Sequence, residues 1–132
     1  MHAITFLGIN DLPQKLNSIP DKPKGLYLCG TMPNEHTPIL CVVGSRKYTQ
    51  YGKLATEKII EGLSGYNIVI LSGLALGIDG IAHRTALRSG LPTIAIPGSG
   101  LGSHVLYPRT HVSLANKIIS QGGALLSEYE PE

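Results

Sequence analysis

The sequence predicts an α/β fold of the Rossmann-like, doubly wound kind, a mainly parallel sheet with helices on both faces. Three observations lead there. Four short apolar runs, at 39–43, 67–71, 93–96 and 124–126, have the length and composition of buried strands. The stretches between them carry apolar residues at helical spacing. Sixteen glycines in 132 residues cluster after the apolar runs, where a backbone must turn sharply or approach a ligand closely.

Taken in order, residues 1–26 mix short apolar pieces with Pro13, Pro20 and Pro23, which predicts a short helix near Leu12–Ile19 and then an extended connection. Leu26–Cys29 reads as a short strand, and Gly30–Pro38, with two prolines and an asparagine, as a loop. Ile39–Val43 is a continuous apolar run ended by Gly44, the pattern of a strand covered by helices on both faces. Tyr51, Leu54, Ala55, Ile59 and Leu63 then form a helical stripe that Gly65 stops. Asn67–Leu71 is the next strand, and Ile78, Ile81, Ala82 and Thr85 mark a second helix ended by Gly90. Thr93–Ile96 is a third strand. Leu114, Ala115, Ile118 and Ile119 mark a third helix, begun after Pro108 and ended by Gly122-Gly123, before a fourth strand at Ala124–Leu126. Alternation of this kind implies right-handed crossovers, with the loops 44–52, 72–80 and 97–108 emerging on one edge of the sheet. Ligands of such sheets bind beyond the carboxyl ends of the strands.

Composition narrows the class. An apolar fraction of 42% and a charged fraction of 15% belong to a globular chain, and 132 residues suffice for one core, so residues 1–132 are expected to form a single domain. The formal net charge of +2 suits an anionic partner without identifying one. Cys29 and Cys41 make neither a CxxC nor a zinc spacing and read as reduced thiols. No apolar run approaches the roughly 18 residues of a membrane span, and Met1-His2-Ala3 does not open a secretory leader, so a cytoplasmic protein without membrane contact is expected.

The chemistry is expected at the three loops. Gly44-Ser45-Arg46-Lys47 places backbone N–H groups, a hydroxyl and two cations before a helix, an arrangement suited to a phosphate; the alternative is a tight turn with Arg46 simply solvated. Ser72-Gly73 to Gly77 forms a second small-residue turn beside the first. There Asp79 reads as a helix cap in preference to a catalyst. His83, four residues on, shares a helix face with it and reads as a structural histidine in preference to an acid/base. The third loop, Pro97-Gly98-Ser99-Gly100-Leu101-Gly102, imitates a dinucleotide fingerprint, but the glycines follow the wrong strand, so no nicotinamide, flavin or other cofactor is expected. His104 and His111 lack a nearby Asp, Glu or Cys, and no metal is expected. Arg109 adds a cation to the edge, whereas Arg84 and Arg88 read as a solvated helix face.

These residues resemble a known family. Val42-Val43-Gly44-Ser45-Arg46, Tyr51-Gly52, Ser72-Gly73-Leu74-Ala75-Leu76-Gly77-Ile78-Asp79, Ala82-His83, Ala86-Leu87, Tyr107-Pro108 and Ser127-Glu128 are together similar to the DNA-processing protein A (DprA, or Smf) family, from about Leu26 to Glu128. The resemblance implies an extended Rossmann fold, dimers, binding of single-stranded DNA without catalysis, and help in loading the recombinase RecA during natural transformation. Family members have Asp after a Gly-Leu pair in the third loop, whereas Gly100-Leu101 is followed here by Gly102-Ser103-His104. They also continue into a Phe-Pro-x-Arg-Asn-Arg segment, whereas this sequence stops at Glu132, so a fragment or a short relative lacking part of the groove is expected. Two other readings stay open: a nucleotide-binding module, and a nucleoside-monophosphate phosphoribohydrolase. Against the latter, Pro97-Gly98-Ser99-Gly100 ends without the Thr and Glu of that enzyme's motif.

Overall fold

A computed structural model describes residues 2–132. Its elements are β1 (Ile4–Gly8), β2 (Gly25–Gly30), β3 (Ile39–Cys41), α1 (Gln50–Glu61), β4 (Val69–Ser72), α2 (Ile78–Arg88), β5 (Thr93–Ala95), α3 (Val112–Ser120) and β6 (Ala124–Ser127). Two 3-10 turns lie at Gln14–Ser18 and Arg109–His111. The strands form one sheet in the order β1-β2-β6-β5-β4-β3. β3 to β6 run parallel, and β2 and β1 are added antiparallel beyond β6. The α/β, Rossmann-like class is the one observed. No helix of the described residues is long and apolar enough to cross a membrane.

The path of the chain decides where the helices go. β3, β4, β5 and β6 succeed one another across the sheet in one direction, and a right-handed crossover at each step puts every helix on the same side. Side-chain alternation agrees. On β4, Ile70 packs with Ile60 of α1 and Ala82 and Ala86 of α2, and on β5 and β6, Ala95 and Leu125 pack with Ala115 and Ile118 of α3. The opposite face, carrying Val69, Ile94, Ala124 and Leu126, is covered by Leu12, Leu16 and Met32 of the amino-terminal segment. Helices are expected on both faces, whereas the structure has three α-helices on one and a 3-10 turn with its loops on the other, because the parallel strands are wound in a single direction.

Two local expectations need correction. Residues 4–8, read as part of an ill-defined lead-in, are a strand whose register pairs Ile4 with Cys29 and Gly8 with Gly25, and the helix expected near 12–19 is only the five-residue 3-10 turn. The run at 39–43 is not a doubly covered central strand. β3 has β4 as its single neighbour, and Val43 is 72% exposed.

Candidate functional site

The carboxyl edge is built around one acid. Asp79, in the first turn of α2 and 7% exposed, accepts Gly44 N–H on Oδ1 at 3.3 Å and Gly73 N–H on Oδ2 at 3.2 Å. A carboxylate is favoured at a helix amino terminus, and hydrogen bonds to it are charge-assisted. The ends of β3 and β4 are thereby tied to α2. This corrects the expectation that Gly44 and Gly73 offer their N–H groups to a ligand, because the chain supplies its own anion to both.

The rest of the first loop is pressed onto the same helix. Ile78 N–H donates to Ser45 O at 3.1 Å, and a Cβ on Gly44 would meet the Ile78 side chain at 2.8 Å. Gly77 has φ +84°, and a Cβ there would fall 2.3 Å from Ser45 O and 2.6 Å from Arg46 Cα. Only glycine combines that dihedral with that approach. Gly77 thus fixes the Arg46 backbone without itself facing a ligand.

Of the remaining expected residues, Ser45 Oγ accepts from Lys47 N–H at 3.0 Å and donates to Lys47 O, so its hydroxyl shapes the turn. Ser72 is 1% exposed and donates to Val42 O, which removes it from any ligand. Arg109 is exposed, but its Nη1 donates to the carbonyls of Ser103 and Leu106 and braces its own loop. Arg46 and Lys47 are exposed, and neither side chain makes a hydrogen bond or ion pair among the described residues. They are the cations left open at this edge.

Asp79 and His83 do not pair. His83 is fully buried, its Nδ1 lies 2.8 Å from Thr93 Oγ1 on β5, and its Nε2 has no hydrogen-bond partner. Burial, with the nearby His111 and Arg84, pushes its pKa down to about 4, against a weaker opposing effect of the Ser72 backbone. The ring is neutral at neutral pH and ties α2 to the sheet. His111 is also internal, with Nδ1 2.7 Å from the Leu74 carbonyl, whereas His104 is exposed.

The three loops do converge. Arg46 from the first, Gly73, Ala75 and Leu76 from the second, and Gly98, Tyr107 and Pro108 from the third line a cavity of about 270 Å³. Ser99 holds the third wall in place: its Oγ accepts Tyr107 N–H at 3.0 Å, and its carbonyl accepts Ser127 Oγ–H at 2.6 Å. Tyr107, 58% exposed, lines this cavity, although the sequence reading quotes it only within the family motif and gives it no place at the site. An aromatic beside a proline in a loop already assigned to the ligand edge was the available signal. An open guanidinium beside an open aromatic face can hold a phosphate and stack a base.

Comparison with known proteins bears on the family and the fold. Residues 3–132 match the DNA recombination-mediator protein A family. The chain is 40% identical over 117 residues to protein Smf of Escherichia coli, covering 89% of this chain and 31% of that protein. It is 41% identical to DNA processing protein DprA of Streptococcus pneumoniae, covering 90% and 41% respectively. Among solved structures, DNA processing protein A of Streptococcus pneumoniae superposes with a TM-score of 0.82 at 39% identity, over 97% of this chain and 44% of that one. The protein of Helicobacter pylori, described for its single-stranded DNA binding mode, superposes with a TM-score of 0.79 at 30% identity, over 98% and 57%. The chain therefore spans less than half the length of these curated relatives. By family match, identity and superposition, it belongs to the DNA recombination-mediator protein A family.

Proposed function

We propose that this chain binds single-stranded DNA at the carboxyl edge of its sheet, with Arg46 gripping a backbone phosphate, Lys47 adding charge and Tyr107 offering a face to a base. The observation that carries the reading is Arg46. Its backbone is pinned by Gly77 and the Ser45–Ile78 hydrogen bond, while its guanidinium stands unpartnered at a cavity shared by all three loops. Gly44, Gly73, Gly77 and Asp79 act as the frame that holds it. The described single-stranded DNA binding of the Helicobacter pylori relative supports the same ligand. Binding proceeds without catalysis in this reading, since Asp79 is committed to two N–H groups and His83 is buried and neutral. RecA loading during natural transformation and a homodimer, both resting on family resemblance, complete the proposal, with a cytoplasmic location resting on the sequence reading.

The test is a titration of labelled oligothymidine at several salt concentrations. With about two to four phosphates engaged, log affinity should fall against log salt with a slope of about −1.4 to −2.8, and base sequence should matter little. Arg46→Ala should weaken binding roughly ten- to hundred-fold, the loss of a charge-assisted contact of about 1.5–3 kcal/mol. A flat salt response, or full displacement of the strand by an equal phosphate concentration of mononucleotide, would refute the DNA reading.

A further inference from the structure

A cavity of about 400 Å³, larger than the one beside Arg46, lies between α2 and α3. Arg84 and Arg88 line it from α2, Lys117 from α3, and Thr110 and Ser113 add hydroxyls; no carboxylate lines it. Arg88 is committed, with Glu57 and Glu61 at 3.7 and 3.4 Å. Arg84 and Lys117 have no such partner among the described residues. On a merely solvated face, cations are offset by acids, as the Arg88 cluster illustrates. Two open cations across one groove repel each other until an anion enters.

The groove is linked to the proposed DNA edge by the short segment from Tyr107 to Thr110. Tyr107 and Pro108 wall the cavity beside Arg46, and Thr110, two residues on, lines the groove. Arg84 turns back toward that edge: its Nη1 lies 3.2 Å from the position of a Cβ on Gly80, in the first turn of α2, beside the His111 ring. We propose that the α2–α3 groove carries the continuing sugar-phosphate backbone of the strand held at Arg46, with Arg84 and Lys117 contacting phosphates and Thr110 and Ser113 donating from the rim. This rests on the DNA reading and extends it from a single phosphate grip to a track. Arg84 then belongs to the binding surface and is not the solvated residue that helix periodicity suggests.

The experiment compares labelled oligothymidines of about four and about sixteen nucleotides, lengths that bracket a single-strand site. Each is titrated against the unaltered chain, Arg46→Ala, Arg84→Ala/Lys117→Ala, and the charge-matched control Lys22→Ala/Lys58→Ala, whose residues line neither cavity. Arg84 and Lys117 are both exposed, so the double variant should keep its unfolding temperature. The track predicts that it loses affinity for the long strand by about tenfold and flattens the salt slope by about 1.4, two phosphates at roughly 0.7 each, with the short strand unaffected. Equal losses on both strands, or an equal loss in the control variant, would overturn the track in favour of diffuse charge. An oligoglutamate peptide that binds the unaltered chain but not the double variant, with long-strand affinity unchanged, would overturn it in favour of an acidic protein partner. If Arg46→Ala leaves the short strand's affinity intact, the edge site fails independently of the groove.

Discussion

Replacing Asp79 with Asn separates a structural clasp from a ligand-repelling charge. The carboxylate receives two N–H groups from strands whose ends lie 35 and 6 residues away in sequence. A hydrogen bond to a charged group contributes about 1.5–3 kcal/mol, and at 3.3 and 3.2 Å both bonds belong at the weak end of that range. Asparagine keeps one oxygen acceptor and turns its NH₂ toward the other N–H, losing one bond and setting two part-buried donors against each other. The expected loss is about 2–3 kcal/mol, a large share of a total stability of about 5–15 kcal/mol. Urea unfolding followed by circular dichroism reads it directly. With the clasp loosened, the first loop no longer holds Arg46 in place, so DNA affinity should fall as well. Stability unchanged within about 0.5 kcal/mol, the range of an ordinary surface substitution, together with tighter DNA binding, would refute the clasp and make Asp79 a charge that merely repels phosphate.

Three further predictions follow from the same edge. Arg46→Lys should recover only part of the affinity lost in Arg46→Ala, because lysine keeps the charge without the bidentate fork; fluorescence anisotropy with oligothymidine measures this, and full recovery would mean that charge alone matters. Gly77→Ala should cost about 1–3 kcal/mol from its backbone dihedral alone, and more from collision with Ser45 O, as read by thermal unfolding. For His83 the folded pKa of about 4 lies below the unfolded value near 6.5, so the unfolded chain binds the extra proton between them. The stability associated with the neutral ring is complete above about pH 6.5 and lost as pH falls toward 4, by roughly 3 kcal/mol in all. Urea titrations at pH 7 and pH 4.5 should show a smaller pH dependence in His83→Gln than in the unaltered chain, and an identical dependence would contradict the assignment.

Residue patterns made the parallel half of the fold legible because each of its strands is a short apolar run and each crossover helix carries its own stripe and stop. β1 was not legible. Its burial is mixed, Phe6 is 56% exposed against Tyr27 at a ring separation of 5.0 Å, and its pairing with β2 cannot be read from residues 4–8 alone. The edge position of β3 escaped for a related reason: an apolar run states what a strand tolerates, not how many neighbours it has. At the site, Arg46 was visible because a glycine-serine turn exposes it. Asp79 was visible as a first-turn acid, but its target, Gly44, depends on tertiary packing. Arg109 looked like a free cation because nothing in its spacing announces that the Ser103 and Leu106 carbonyls fold back to receive it.

The one-directional winding of β3 to β6 also divides the fold by chain separation. Ile39 pairs with Val69, Ile70 with Thr93 and Ile94 with Ala124, over 23 to 30 residues, whereas Tyr27 meets Ser127 across 100. Closing the longer loop costs about 1 kcal/mol more in chain entropy than closing any of the shorter ones. The three loops of the carboxyl edge, the Asp79 clasp and the α2–α3 groove all lie in the short-range part, which local contacts assemble. The long-range closure brings in the segment whose leucines cover the second face of the sheet. Sequence drift in residues 2–30 therefore bears first on how firmly the sheet is held, and only through that on what its edge binds.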